Sequence, residues 1–195
     1  MPLEIVVSKP SELHLSFNDI DSLKTVITGE GGSGKTLLTV RFLVEALARV
    51  PGQDLLVIDF APPSFLYKSV KIGGMVEEYI DLPSDVKILK PEKVYTPRVS
   101  KDPSLAGENY RNMEPLIDLA LSLHKKYVFV NDVSLYLQAG TVKDVRKLLS
   151  LAPTMVINGY LGRIFEDSSE ITKNENKLMH YLSALSDLHI HIEPT

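Results

Sequence analysis

Gly29-Glu30-Gly31-Gly32-Ser33-Gly34-Lys35-Thr36 decides how this chain is read. The stretch fits G-x-x-x-x-G-K-[ST], a loop that wraps a phosphate tail. Glycine reaches positive φ without a Cβ clash, so the backbone can turn its N–H groups inward as an anion nest. A helix that follows adds the positive end of its dipole. In this pattern Lys35 reaches the β- and γ-phosphates, and the Thr36 hydroxyl ligates Mg²⁺.

The flanking sequence supplies the context the loop requires. Residues 23–28, Leu-Lys-Thr-Val-Ile-Thr, read as a short buried strand entering it. Residues 36–49 read as a helix leaving it, with Leu37, Leu38, Val40, Leu43, Val44 and Leu47 at helical spacing and Pro51-Gly52 as the stop. Leu37 sits where the loop opens into the helix and joins Gly29–Thr36 as a candidate nucleotide contact.

Two further apolar runs end in aspartate: Leu55-Leu56-Val57-Ile58-Asp59 and Tyr127-Val128-Phe129-Val130-Asn131-Asp132. A central parallel strand delivers its last residue to the carboxyl edge of the sheet, where the glycine-rich loop also lies. Asp59 is therefore expected to contact Mg²⁺ or orient the attacking water. Asp132 is expected to hold the metal shell together with Thr36, in the manner of a Walker B strand. Thr154-Met155-Val156-Ile157-Asn158 is a third such strand. Asn158 is a candidate for the base, Tyr160 for stacking and Arg163 for phosphate. Residues 90–110 are rich in proline and charge and read as a long loop, from which Lys93, Arg98, Lys101 or Arg111 would reach the γ-phosphate.

The remaining elements follow from pattern. Residues 3–7 and 13–17 read as two strands joined by Lys9-Pro10-Ser11, so residues 1–22 are expected as an N-terminal β-hairpin with His14 facing solvent. A helix is expected over Asn112–Lys125 with Pro115 in its first turn. Thr141 and Asp144 fit a capping box. A last helix starts near Ser168–Glu170, and Leu188–Ile192 closes as a strand, with His189 and His191 as an exposed edge pair.

Composition narrows the classes. The 195 residues suit a single domain over 1–195, with ordinary hydrophobic (44%) and charged (24%) shares. A net charge of −4 gives no strong nucleic-acid signal. The absence of cysteine excludes disulfides, thiol catalysis and cysteine metal sites. No run is long enough to span a bilayer and no leader pattern is present, so no membrane partner and a cytoplasmic location are expected. Strands alternating with helices give an α/β fold, here a three-layer P-loop NTPase fold with a largely parallel sheet.

Two family resemblances add to this reading. The loop, followed after one helix by Leu55–Asp59, resembles the MinD/ParA branch of the SIMIBI class over about residues 25–63. That resemblance implies an ATP-dependent homodimer, an unidentified protein partner, and the Asp132 strand directly beside the loop strand. Glu30 stands where that family carries its trans-reaching lysine, and the tail Glu193-Pro194-Thr195 lacks a basic amphipathic segment. The loop and helix, Ile27–Leu38 followed by Phe42-Leu43-Val44-Glu45, also resemble RecA/KaiC-like ATPases. That second resemblance implies another strand between those two, and expects a catalytic Glu where Phe60 and Ala61 stand. Small-molecule kinases share the loop and need an acceptor pocket. The expected activity is a Mg²⁺-dependent ATPase acting as a nucleotide switch, binding ATP and ADP. Its catalytic residues would be Lys35, Asp59 and Asp132, and its metal ligands Thr36, Asp59 and Asp132.

Overall fold

The computed structural model describes residues 1–165 and 167–193; Pro194 and Thr195 of the tail lie outside them. Seven strands form one parallel sheet: β1 (Leu3–Val7), β2 (Lys24–Gly29), β3 (Leu55–Asp59), β6 (Lys87–Leu89), β7 (Tyr127–Asn131), β8 (Thr154–Tyr160) and β9 (Leu188–Ile192). Their order is β1-β9-β2-β8-β7-β3-β6. A two-stranded antiparallel hairpin, β4 (Phe65–Tyr67) with β5 (Val70–Ile72), stands apart from it.

The central strands are buried on both sides, and alternate residues feed two cores. Leu56, Ile58, Val128, Val130, Met155 and Ile157 face one helical layer, made by α4 (Leu105–Leu123), α5 (Ser134–Leu137), α6 (Val142–Leu149) and α7 (Glu170–Leu185). Leu55, Val57, Phe129 and Val156 face the other, made by α1 (Phe17–Ile20) and α2 (Lys35–Leu47). The result is helix, sheet, helix in three layers, as the alternating sequence implies. The short α3 (Pro97–Ser100) lies in the segment read as a loop.

Four expectations are corrected. Residues 1–22 are not a hairpin: β1 joins the main sheet in parallel with β9, Ile5 opposite Ile190. Residues 13–16 make no strand, although Leu13 and Phe17 are buried as their spacing suggests. Their backbone is satisfied by Arg41, whose guanidinium donates to the carbonyls of Pro10, Leu13 and Leu15 at 3.3, 3.1 and 2.8 Å. The helix α4 begins at Leu105, so Pro115 is interior to it rather than in its first turn. Finally, β8 separates β2 from β7. The adjacency implied by the MinD/ParA resemblance is not met, and the interleaved order is the one attached to the RecA/KaiC resemblance.

The histidine pair is also interior, because β9 lies between β1 and β2. Thr28 Oγ1 is 2.7 Å from His189 Nε2 and 2.8 Å from His191 Nδ1. Burial pushes the His189 imidazole below its ordinary value; Glu4 opposes this, and His191 and His180 add to it. A histidine depressed in the fold binds fewer protons than in the unfolded chain at pH values just below about 6.5, so stability falls as pH falls through that window. The urea midpoint is therefore expected to drop on acidification from about pH 7.5 to 5.5, and less so in His189→Gln. An equal drop in both proteins would refute the assignment.

Candidate functional site

The carboxyl ends of β2, β3, β7 and β8 meet at one edge of the sheet. The glycine-rich loop leaves β2 there. A Cβ at Gly29 would lie 2.5 Å from the Ile192 carbonyl oxygen, so only glycine fits where the loop crosses β9. Gly34 caps α2 in the left-handed region (φ 94°), and no side chain caps that helix end. The first N–H groups of α2 thus open onto a cavity of about 460 Å³ lined by Gly31, Gly32, Gly34, Lys35, Thr36 and Leu37, among others. Lys35 Nζ donates to the Glu30 carbonyl at 2.6 Å. Burial pulls its amine down to about 8, against the attraction of Asp132 and Glu30.

Glu30 is engaged within its own chain. Its carboxylate accepts from the backbone N–H groups of Gly31, Arg163 and Ile164 at 3.0, 2.5 and 3.2 Å. Burial pushes this carboxyl up, and those N–H donors outweigh it, leaving it below the ordinary range. Glu30 therefore ties the loop to the 161–165 turn. Arg163 contributes that backbone contact, and its exposed side chain is not among the cavity-lining groups.

Asp132 faces the cavity from the end of β7, held in a left-handed backbone conformation (φ 55°). Its N–H donates to Asn158 Oδ1 at 3.0 Å, and its Oδ1 accepts the Ser134 hydroxyl. Among the described residues no group donates to its Oδ2. Burial pushes the Asp132 carboxyl up, opposed by Ser134, Lys35 and Arg98.

Asp59 does not reach the cavity. It is 1% exposed. Its Oδ1 accepts from Ala61 N at 3.2 Å and Asn131 Nδ2 at 2.9 Å; its Oδ2 accepts from Val76 N at 2.7 Å. The carboxylate closes the turn after β3 and is set back from the cavity, with a donor on each oxygen. Asn158 lines the cavity, unlike Asp59, but its amide is engaged: Nδ2 donates to Thr39 Oγ1 and Asn131 Oδ1, both at 2.8 Å. With both amide protons engaged it is not available to read a base. Tyr160 is packed under Arg98, whose guanidinium lies 5.0 Å from its ring and 4.9 Å from that of Phe165.

Three residues that sequence reasoning did not single out organise this edge. Asn131 links it: its amide donates to Asp59 and to the Gly74 carbonyl (3.0 Å), and its carbonyl accepts from Asn158 and Thr36 Oγ1 (3.2 Å). All four hydrogen-bonding positions are filled in a fully buried side chain. Asn131→Ala strands several of these partners and is expected to cost about 3–5 kcal/mol. That corresponds to a fall of roughly 10 °C in thermal midpoint, read by calorimetry. A shift within error would refute the linking role. The other two are Glu175 and Gln138. Of the four basic residues proposed from 90–111, Arg98 lines the cavity and pairs with buried Glu175: Nη2 donates to Oε2 at 3.1 Å, and Nη1 lies 2.8 Å from Oε1 as an ion-pair contact. Gln138 Nε2 supports the same carboxylate at 2.8 Å. Burial pushes Glu175 up, and Arg98 and Gln138 pull it back. Glu175 falls on the apolar stripe of α7 with Ile171, Leu178, Met179 and Leu182, which is the signal that marks it as buried. Gln138 carries no such signal.

For a divalent cation, the cavity offers the Thr36 hydroxyl and the Asp132 carboxylate. Among the described residues no cluster of three His, Cys, Asp or Glu side chains forms a closed metal site. That donor set fits Mg²⁺, which keeps several waters and takes one or two carboxylates plus phosphate oxygens. Compared with known proteins, the chain matches no family model, and no curated protein is significantly similar to it. No helix among the described residues is long and apolar enough to cross a membrane.

Proposed function

We propose that this chain is a P-loop protein that binds Mg²⁺–ATP at the glycine-rich loop and catalyses transfer of its terminal phosphoryl group, with ADP as product. The supporting observation is one juxtaposition. An uncapped helix end, a glycine-rich loop and a half-buried lysine face, across a single cavity, a carboxylate delivered by β7. Phosphoryl transfer needs positioning and charge more than covalent help. Lys35 and the loop N–H groups hold the β- and γ-phosphates. Thr36 and the Asp132 carboxylate hold the metal and its water shell, and Mg²⁺ supplies neutralisation of charge on the phosphate oxygens. Asp132 Oδ2 accepts the proton of the attacking group. Asp59 and Asn158 serve as supports in this reading, not as ligands.

The interleaved strand order favours a RecA/KaiC-like relation over a MinD/ParA-like one. The nucleotide-dependent homodimer is not carried forward, because the residue at the position of the trans-reaching lysine, Glu30, is bound to its own loop and turn. A fluorescent ATP analogue, MANT-ATP, tests the reading directly. Saturable binding is expected with Mg²⁺, weakened at least about tenfold when EDTA removes the metal. Lack of saturable binding in Mg²⁺ would sink the proposal.

A further inference from the structure

Behind the glycine-rich loop lies a second cluster of titratable groups, which the nucleotide reading does not use. Glu4, Leu161, His180, Ser183, His189 and His191 are among the residues lining a separate cavity of about 350 Å³. Both β9 histidines approach one atom, Thr28 Oγ1: His189 Nε2 at 2.7 Å and His191 Nδ1 at 2.8 Å. On the other side of the His189 ring, Glu4 Oε1 of β1 stands 3.4 Å from Nδ1. Thr28 and His189 are buried, and His191 is half-buried. Thr28 is the last residue before Gly29. In the sheet it pairs with His191, and Gly29 pairs with Ile192.

A hydroxyl has one hydrogen to give and two lone pairs, so Thr28 cannot donate to both rings. Glu4 decides which ring it serves. A bare Nδ1 lone pair facing that carboxylate is repelled, so His189 carries its hydrogen on Nδ1 and turns a bare Nε2 to the Thr28 hydroxyl. Thr28 then donates to His189 and accepts from His191, whose hydrogen is on Nδ1. His191 Nε2 is the ring nitrogen of the pair without a partner among the described residues, and a proton added there disturbs none of these bonds. A second proton falls on His189 Nε2. Both rings then donate to Thr28, its own hydrogen loses its acceptor inside the protein, and two like charges stand with ring centres 6.2 Å apart. The groups packed round His189 act in the same direction: burial, His191 and His180 disfavour its charged form, and Glu4 favours it.

We infer that Glu4, His189, Thr28 and His191 form a one-proton latch between β9 and the strand that enters the glycine-rich loop. The latch holds while the pair is neutral or singly charged, and the second proton opens it. This does not depend on which ligand the loop binds. The opening is local, because Gly29 follows Thr28 and lies against the Ile192 carbonyl, where a Cβ would come within 2.5 Å. A ring pushed off Thr28 loosens the strand pairing where the loop begins, so acid acts on the loop entrance before it acts on the rest of the sheet.

Long-range ¹H–¹⁵N spectra of the histidine rings test the proton count, and hydrogen exchange tests the latch. At about pH 8 both rings are expected in the Nδ1–H form; on acidification His191 is expected to charge first while His189 stays neutral. His189 found in the Nε2–H form, or the two rings charging together, overturns the inference. Between about pH 7 and pH 5, with the intrinsic pH dependence of exchange removed, amide protection in 26–29 and 189–192 is expected to fall at least about tenfold more than in 55–59. In His189→Gln, which cannot take the second proton, the two regions are expected to change together within about twofold. Thr28→Ser keeps the shared hydroxyl and is expected to behave as the parent. An equal loss in both regions of the parent, or the same local excess in His189→Gln, overturns the latch.

Discussion

Lys35→Ala is expected to weaken MANT-ATP binding at least about a hundredfold, the loss of two charge-assisted hydrogen bonds to phosphate. The side chain now donates only to the Glu30 carbonyl at 2.6 Å, with no carboxylate in ion-pair contact among the described residues. Burial without a pairing anion is what brings its amine down to about 8. A bound triphosphate supplies that anion and restores the charged form, so affinity for nucleotide should decline as pH rises above about 8. Removing a desolvated cation does not take away a native ion pair. Lys35→Ala should therefore fold at least as stably as the parent, separating loss of binding from loss of structure. Isothermal titration and calorimetry on the same preparation decide it. Unchanged affinity would remove the loop from the site altogether.

The second large effect concerns turnover. Asp132→Asn keeps the shape of the side chain and the Ser134 contact but cannot take a proton. ADP formation under saturating ATP is expected to fall about 100- to 1,000-fold, in the range lost when a general base is removed. MANT-ATP affinity in Mg²⁺ should fall by less than it does when EDTA removes the metal, since Asp132 is one of the metal's holders while the phosphate contacts come from the loop and Lys35. Its N–H to Asn158 is backbone and survives the change. A variant that turns over at the parent rate would transfer the proton-accepting role elsewhere. Asp59 is not the candidate, because both of its oxygens are already held by N–H donors.

The elements were largely written in local pattern. Leu55–Asp59, Tyr127–Asn131 and Leu188–Ile192 are strands where apolar runs announce them, and the Thr141–Asp144 capping box opens α6 as its spacing implies. The loop and the helix after it were equally plain. What local pattern does not carry is which strand lies beside which. The insertion of β8 between β2 and β7 depends on how α6 and α7 cross the sheet, and no residue advertises it. The same gap explains the site. Asp59 and Asp132 end similar runs, yet one meets the turn at Val76 and the other meets a cavity. A sequence shows two carboxylates at strand ends; the neighbours that neutralise one and leave the other open come from segments far along the chain. Asn131 carries no charge to set it apart beside Asp132, although the neutral residue holds more of the edge together. The 13–17 alternation misleads for a related reason: Leu13 and Phe17 are buried, but Leu15 is only half-buried, and Arg41 rather than a neighbouring strand satisfies the backbone.

The order of strands has a consequence for how the molecule is made. The loop strand β2 emerges among the first thirty residues, but its two neighbours are β8 and β9, from residues 154–160 and 188–192. The edge strand β1 pairs only with β9. During synthesis, the phosphate loop therefore waits with both sides of its strand unpaired while most of the chain is added. Closure of these long-range pairs is a late and slow event. Until then Val26 and Ile27 are without their sheet neighbours, and only the Ile27 side of the strand has a cover, from α1 and α2, within the amino-terminal half.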